Sequence, residues 1–597
     1  MITAVFAVAL LGFVSSAYCS ALGSSNPRVV INNTTFIGQS KSKDVDFFGG
    51  IPFAEPPLGN LRLKPPVLKS FLDDSDAGQT IFNATHFGPS CIQTPLPVNN
   101  GISEDCLSVN IFKPSSSVIN ETSSALLPVM LWIYGGGFII GSSSRYDGTP
   151  LVTRSIVRGT PTILVSVNYR MGPLGFPRGD DVAREAEKGS PILNLGSRDN
   201  IAALQWIKEH ISAFGGDPDK ITVFGESAGA FAIELLVLND QIRGLAKGVI
   251  LESTGGLPLQ SPSSPGSKIA WNNFIAAIPR CQTELNDTVD CMRSLTTSEI
   301  IEGYNTAGLF FNTSGEDWLP VIDGEIVPDF PSNLKPRKGV VEAVLIGSNL
   351  DEGTLITPQT INSSQSIQDL ILSTPPSPPN ASPAEREAQL ERLETILKQI
   401  LKLYPNDPPL GSPFGTGNDT FGLNPEYKRY AAVASDLIYQ SYRRYMINEQ
   451  LLKTEIPVFS YLFTDPDAVP VPDFVSGTPA PGSLGVTHSS EIFYVFGDLA
   501  VVTPTATDLS NSMMDYWISF ANSFTPNDEE DNARGSILHL WSYYVSPMFE
   551  PGLLWPGYTQ ENQVLLQLNG HNTTVIPDNF REEQIAIFNQ NQAIFAH

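Results

Sequence analysis

Basic side chains are scarce in this chain. Lysine and arginine number 36 against 62 aspartates and glutamates, a formal charge of −26. A phosphate backbone needs a basic footprint, so the charge argues against nucleic acid as a partner. An anionic membrane surface repels the chain for the same reason. Histidine is scarcer still, with 6 residues, which narrows any search for a general base. Cysteine numbers 5, with no CxxC pair and no nearby histidine, so thiolate metal ligation has no pattern to rest on. Long apolar runs are missing too. The stretch Met1 to Val14 is too short to cross a bilayer core of roughly 30 Å as a helix, and no later stretch is apolar enough, so no stable membrane insertion is expected.

What is present reads as globular. Hydrophobic residues make up 41% and charged residues 16%, enough for a large core. Small residues (Ser15, Ser16, Ala17, Ser20, Ala21) follow the first apolar run, which resembles a secretory signal over residues 1–21, although no Lys or Arg precedes it. Its removal takes Cys19 and leaves Cys91, Cys106, Cys281 and Cys291. An even number in an exported chain implies two bridges. Sequence order allows three pairings; the local one, Cys91–Cys106 with Cys281–Cys291, closes two short loops and is preferred. Ten Asn-x-Ser/Thr sequons, at Asn32, Asn33, Asn83, Asn120, Asn286, Asn312, Asn362, Asn380, Asn418 and Asn572, suit a secreted glycoprotein.

Strand-like and helical runs alternate. Val129–Tyr134, Ile163–Asn168, Ile221–Phe224, Gly248–Leu251, Glu342–Ile346 and Val458–Phe463 are short apolar strands; Asn200–Phe214 has helical spacing, and Ala228–Leu238 reads as a helix after a strand and a turn. Near-continuous apolar strands separated by helices predict an α/β fold, with a large, mostly parallel central sheet and helices on both faces. The Pro- and Ser-rich region Ser363–Thr420, with its amphipathic stretch Ala384–Leu403, reads as surface helices and loops inserted into that fold. No linker divides the chain, so residues 22–597 are expected to form a single domain.

The strongest local signal is Gly225-Glu226-Ser227-Ala228-Gly229, between a strand and a helix. A serine on such a tight turn stands clear of the sheet, above a helix N-terminus rich in unpaired N–H groups. Gly135-Gly136-Gly137 ends another strand. Consecutive glycines can turn backbone N–H groups toward an oxygen, and no Gly-Lys-Ser/Thr follows to make this a phosphate loop. Gly136, Gly137 and Ala228 are the expected donors of an oxyanion hole, each worth roughly 2.7–4 kcal/mol of transition-state energy. Ser227 needs a base. Taken in the order serine, acid, histidine, the choice falls on His488, in the small-residue loop Gly485–Phe493. His539 lies in an apolar run; His571 and His597 are expected at the surface. The acid lies between, in Ile346–Gly353, where position leaves Asp351 and Glu352 equal.

These segments resemble the type-B carboxylesterase/lipase family of α/β-hydrolases, the group of fungal lipases and cholinesterases. Phe48–Arg62, Glu104–Ile111, Asn168–Phe176 and Phe214–Pro218 match it in order, with the turn, glycine run, acid segment and histidine loop. The resemblance implies Ser227 as nucleophile, His488 as base and Glu352 as acid, with Ser253 buttressing the acid. It implies that Glu226 holds the histidine or an ordered water, or is a buried structural carboxylate. It also supports the local disulfides. No metal or organic cofactor is implied. The implied activity is hydrolysis of a small-molecule or lipid carboxylic ester by a secreted serine hydrolase through an acyl-enzyme. Between Cys91 and Cys106 the loop is short and lacks an aromatic residue, unlike the family's long lids or choline-stacking tryptophan. That disfavours choline esters and strong interfacial activation. Rival readings are a true lipase or sterol esterase, a feruloyl-type esterase and, outside enzymes, an inactive adhesion module.

Overall fold

The computed structural model describes residues 26–70, 80–94, 100–118, 125–282, 287–308, 318–372, 382–470, 478–527 and 553–595. The expected leader, Cys19, His539 and His597 lie outside them, as do the sequons at Asn120, Asn286, Asn312 and Asn380. Asn32, Asn83, Asn362, Asn418 and Asn572 are exposed and Asn33 is half-buried.

Among the described residues one sheet has eleven strands. In chain order they are β1 (Gln39–Ser40), β2 (Val45–Pro52), β3 (Ser108–Pro114), β4 (Leu127–Ile133), β5 (Ile163–Val167), β6 (Gly216–Glu226), β7 (Gly248–Glu252), β8 (Ala343–Asn349), β9 (Val458–Phe463), β10 (Val564–Leu568) and β11 (Thr574–Pro577). Their spatial order is β11-β10-β9-β8-β7-β6-β4-β5-β3-β2-β1. Neighbours from β5 to β10 are parallel; both edges are antiparallel. The mostly parallel sheet is thus the centre of a mixed one. Central strands such as β5 and β8 are buried along their whole length, which is why they read as unbroken apolar runs.

Helices cover both faces. Side chains alternate along β6. Gly225 faces the helix α2 (Ala228–Leu238), where an added Cβ would lie 3.0 Å from Ile233 Cδ1. Phe224 faces the other way, its ring 4.8 Å from that of Trp132 and 6.1 Å from Phe496. Every residue of α2 is buried, Glu234 included, so it has no solvent-facing stripe. The helix α1 (Leu195–His210) starts ahead of the expected Asn200. Its buried Asp199 is held by Arg170 at 2.7 and 2.8 Å and so sits inside the helix instead of capping it. The 363–420 region forms helices Ser364–Leu372 and Pro383–Leu403, the second opened by a Ser382–Glu385 capping box. They enclose a separate small core that includes Ile367, Leu397, Ile400 and Phe588. Among the described residues no helix is long and apolar enough to cross a membrane.

Long-range ties bind the frame. Cys91 joins Cys106 and Cys281 joins Cys291, with Cα–Cα distances of 5.0 and 5.8 Å. Buried Arg62 forks onto Glu104 at 2.6 and 2.7 Å. Asp578 accepts from Arg443 at 2.8 Å through both oxygens and from Arg444 at 2.9 Å. Burial pushes its carboxyl up; the two guanidiniums outweigh that and hold it at about 2. Its stabilisation is therefore complete above the ordinary carboxylate range and is lost as pH falls through about 2. Asp578→Asn leaves fully buried Arg443 without its counter-charge. We expect a loss of about 3–5 kcal/mol in urea unfolding at neutral pH. Unchanged stability would show that the pair carries no weight.

Candidate active site

Four strand ends meet at the carboxyl edge of the sheet. Register pairs Ile133 with Gly225, Glu226 with Glu252, and Glu252 with Gly347. Gly135–Gly137 after β4, Ser227 after β6, Ser253 after β7 and Glu352 after β8 therefore emerge side by side. Ligands of open α/β sheets bind at this edge.

Ser227 ends the strand and opens α2 with φ +55° and ψ −126°, a strained conformation for a residue with a side chain. Its N–H donates to Glu252 O at 2.9 Å. Ser227 is half-buried, whereas Glu226 beside it is fully buried. Close packing dictates the neighbours. A Cβ on Gly135 would lie 2.8 Å from Ser227 Cβ, and one on Gly225 would lie 2.5 Å from Ile133 O. Gly136 and Gly137 adopt φ of +110° and +61°, open to glycine without strain. Ala228 is the first residue of α2, so its N–H has no intrahelical acceptor.

His488 arrives from the loop after β9, 5% exposed. Its Nδ1 lies 2.6 Å from Glu352 Oε2. Its Nε2 lies 3.2 Å from Glu226 Oε1, outside hydrogen-bond geometry, and has no hydrogen-bond partner among the described residues. An imidazole anchored at Nδ1 and open at Nε2 can take a proton from a neighbouring hydroxyl. The Asn349 N–H at 2.6 Å and the Ser253 hydroxyl at 2.7 Å both donate to Glu352 Oε1. Asp351 is engaged elsewhere. It accepts from Ser412 Oγ and Phe414 N at 2.8 Å and from Val486 N at 3.0 Å, tying the histidine loop to the end of β8. His571 is exposed, far from any such arrangement in character.

Glu252, Glu491 and Ser489 also belong to this cluster, and sequence reading passed over them. Trp517 Nε1 donates to Glu252 at 2.7 Å. Glu491 accepts from Asn349 Nδ2 at 2.6 Å, and its Oε1 lies 3.0 Å from Ser253 Oγ, whose one proton goes to Glu352. Ser489, at φ +70°, donates its hydroxyl to Glu226. One signal was available: Glu252 and Glu491 are charges at the borders of apolar segments, where a solvated residue would have been the ordinary reading.

Four fully buried carboxylates around one imidazole cannot all ionise. Burial pushes Glu226 to about 7 and Glu491 to about 8, and lifts Glu252 well above the carboxylate range. Burial pulls His488 down, but the charges of Glu226 and Glu352 outweigh it and raise the imidazole to about 9. Glu226→Gln removes one of those charges and so disfavours the imidazolium. We expect the acid limb of the kcat/KM profile to move to lower pH. A limb that stays put would uncouple Glu226 from His488.

The carboxylesterase family model matches residues 25–588. The chain is 31% identical to Lipase 2 of Geotrichum candidum over 607 residues, covering 94% of this chain and 95% of that one. It is 31% identical to Secreted lipase 1 of Botryotinia fuckeliana over 594 residues, covering 93% and 91%. The crystal structure of Aspergillus niger EstA aligns at a TM-score of 0.72 over 96% of this chain and 99% of its own, at 24% identity, a likeness of fold. The fold, the family match and these relatives together place the chain in the carboxylesterase family, as a carboxylic ester hydrolase.

Proposed function

We propose that this chain is a secreted esterase that cleaves soluble carboxylic esters through a Ser227–His488–Glu352 triad. The observation that carries the proposal is the 2.6 Å contact of His488 Nδ1 with Glu352, with Nε2 left open beside the serine turn. Ser227 Oγ attacks the ester carbonyl while His488 Nε2 takes its proton. The N–H groups of Gly136, Gly137 and Ala228 receive the oxyanion. His488 returns the proton to the leaving alcohol oxygen, giving an acyl-serine. Water then attacks that carbonyl, His488 taking its proton, and the acid departs as Ser227 Oγ is reprotonated. Glu352 fixes the imidazole tautomer and balances the imidazolium; Ser253 holds Glu352. Export is supported by the leader-like residues 1–21 and by the secreted relative.

The relatives named lipases favour a second reading, a true lipase. Against it stands the loop between Cys91 and Cys106, only 15 positions apart and without an aromatic residue. We expect p-nitrophenyl acetate and butyrate to give a burst of one p-nitrophenol per enzyme before steady state, the mark of an acyl-enzyme whose hydrolysis limits turnover. We also expect no jump in rate when a long-chain ester passes its micellar concentration. An interfacial jump would establish the lipase, and a chain with no turnover would be a binding module.

A further inference from the structure

The helix over residues 425–454 is α-helical at Pro425–Ala434, widens to π geometry at Ser435–Gln440 and returns to α at Ser441–Tyr445. An α-helix repeats every 3.6 residues, so side chains five apart fall on different faces. An i→i+5 turn brings Ser435 and Gln440 closer to one face, and such turns collect at functional sites.

What that face touches is the catalytic frame. Ser435 Oγ accepts the Gly353 N–H at 2.8 Å, one residue beyond Glu352. Gln440 Nε2 donates to Asn349 O at 3.0 Å, and its Oε1 accepts from Ser348 Oγ at 3.0 Å. Ile438 O accepts the Gly256 N–H at 2.8 Å, just past Ser253. The Tyr439 ring packs on the His488 ring at 4.8 Å between centroids. In the next turn Tyr442 donates its hydroxyl to Glu234 of the serine helix α2, whose other oxygen accepts from Thr254 Oγ1 at 2.6 Å. From outside, Arg581 grips Asp436 through two 2.7 Å bonds. Ser435, Asp436 and Gln440 are wholly buried and Tyr439 is 7% exposed.

We infer that the π turn 435–440 is a bracket that sets the Glu352–His488 pair against the serine helix, with Tyr439 positioning the imidazole and Gln440 the acid loop. This rests on the triad proposed above. The bracket grips both sides of the Glu352 turn, one face of the imidazole, and α2 through Glu234. Removing one grip lets the acid or the imidazole drift while Ser227 and the glycine run stay in place, so turnover falls rather than binding.

The test uses the full-length enzyme as Tyr439→Leu, Tyr439→Phe and Gln440→Leu, with p-nitrophenyl butyrate kinetics, thermal unfolding and the rate of inactivation by a fluorophosphonate. We expect both leucine variants to lose about tenfold to a hundredfold in kcat, the scale of a misplacement near 1 Å, with KM within about twofold. Inactivation should slow by the same factor. Tyr439→Phe keeps the ring and should recover most of kcat. Unchanged kcat in both leucine variants, or a change in KM alone, overturns the bracket. If a leucine variant unfolds, Tyr439→Phe decides: a phenylalanine variant as slow as an unfolded one overturns the role of the ring. A parent labelled at Ser227 with unaffected variants sinks the bracket alone; a parent that turns over without labelling sinks the triad and the bracket with it.

Discussion

Ser227→Ala lowers kcat on a p-nitrophenyl ester by about 10⁶-fold, the scale of losing a serine nucleophile. The expected effect is this large because no second hydroxyl shares the turn, and because the proposed acid, base and nucleophile would act as one unit. What survives is the contribution of the backbone donors and of binding, about 10³–10⁴ over water. Folding should change little. The backbone of residue 227 keeps its φ of +55° with either side chain, and its N–H bond to Glu252 O does not involve the hydroxyl. Kinetics and thermal unfolding on the same preparation separate the two effects. Turnover close to the parent's would remove Ser227 from the mechanism.

Glu352→Gln costs about 10⁴-fold in kcat, with the fold intact. The reason lies in the donors around the carboxylate. The Asn349 N–H and the Ser253 hydroxyl both point at Oε1, so a glutamine there keeps its oxygen on that side. Its amide NH₂ then faces His488 Nδ1 at the position now 2.6 Å away. A donor against Nδ1 selects the tautomer whose proton sits on Nε2, and that tautomer cannot act as base. Asp351→Asn is the control: its oxygens meet Ser412, Phe414 and Val486 rather than the imidazole, and its loss of kcat should be far smaller. Steady-state kinetics on the two variants decide between the neighbouring acids. Equal losses would contradict the assignment of Glu352.

The choice between Asp351 and Glu352 shows where reading the sequence stopped. Short-range chemistry was legible. Ala228–Leu238 is the helix expected after the serine turn, and the glycines around Ser227 are there because a Cβ has no room. The central strands stood out because both of their faces are buried. Two adjacent acids at a strand end, however, carry no local mark of which one turns inward. That is fixed by Ser412 and Val486, which claim Asp351 from 61 and 135 positions away. Glu491 reaches Ser253 across 238 positions, and Tyr439 meets His488 from a π turn that side-chain spacing does not announce. The antiparallel edges were illegible for a similar reason, since strand direction there depends on chain return and not on composition. In α1 the buried polar atoms of Ser197 and Asn200 have no hydrogen-bond partner among the described residues.

Ester turnover in the proposed mechanism runs through one oxygen atom, Ser227 Oγ. Treating the enzyme with a fluorophosphonate, digesting it and locating the adduct by mass spectrometry tests it most directly. We expect one adduct per chain, on Ser227, formed in step with loss of esterase activity and absent from Ser227→Ala. An adduct on another residue, or full ester turnover by a chain unmodified at Ser227 after exhaustive treatment, would contradict it.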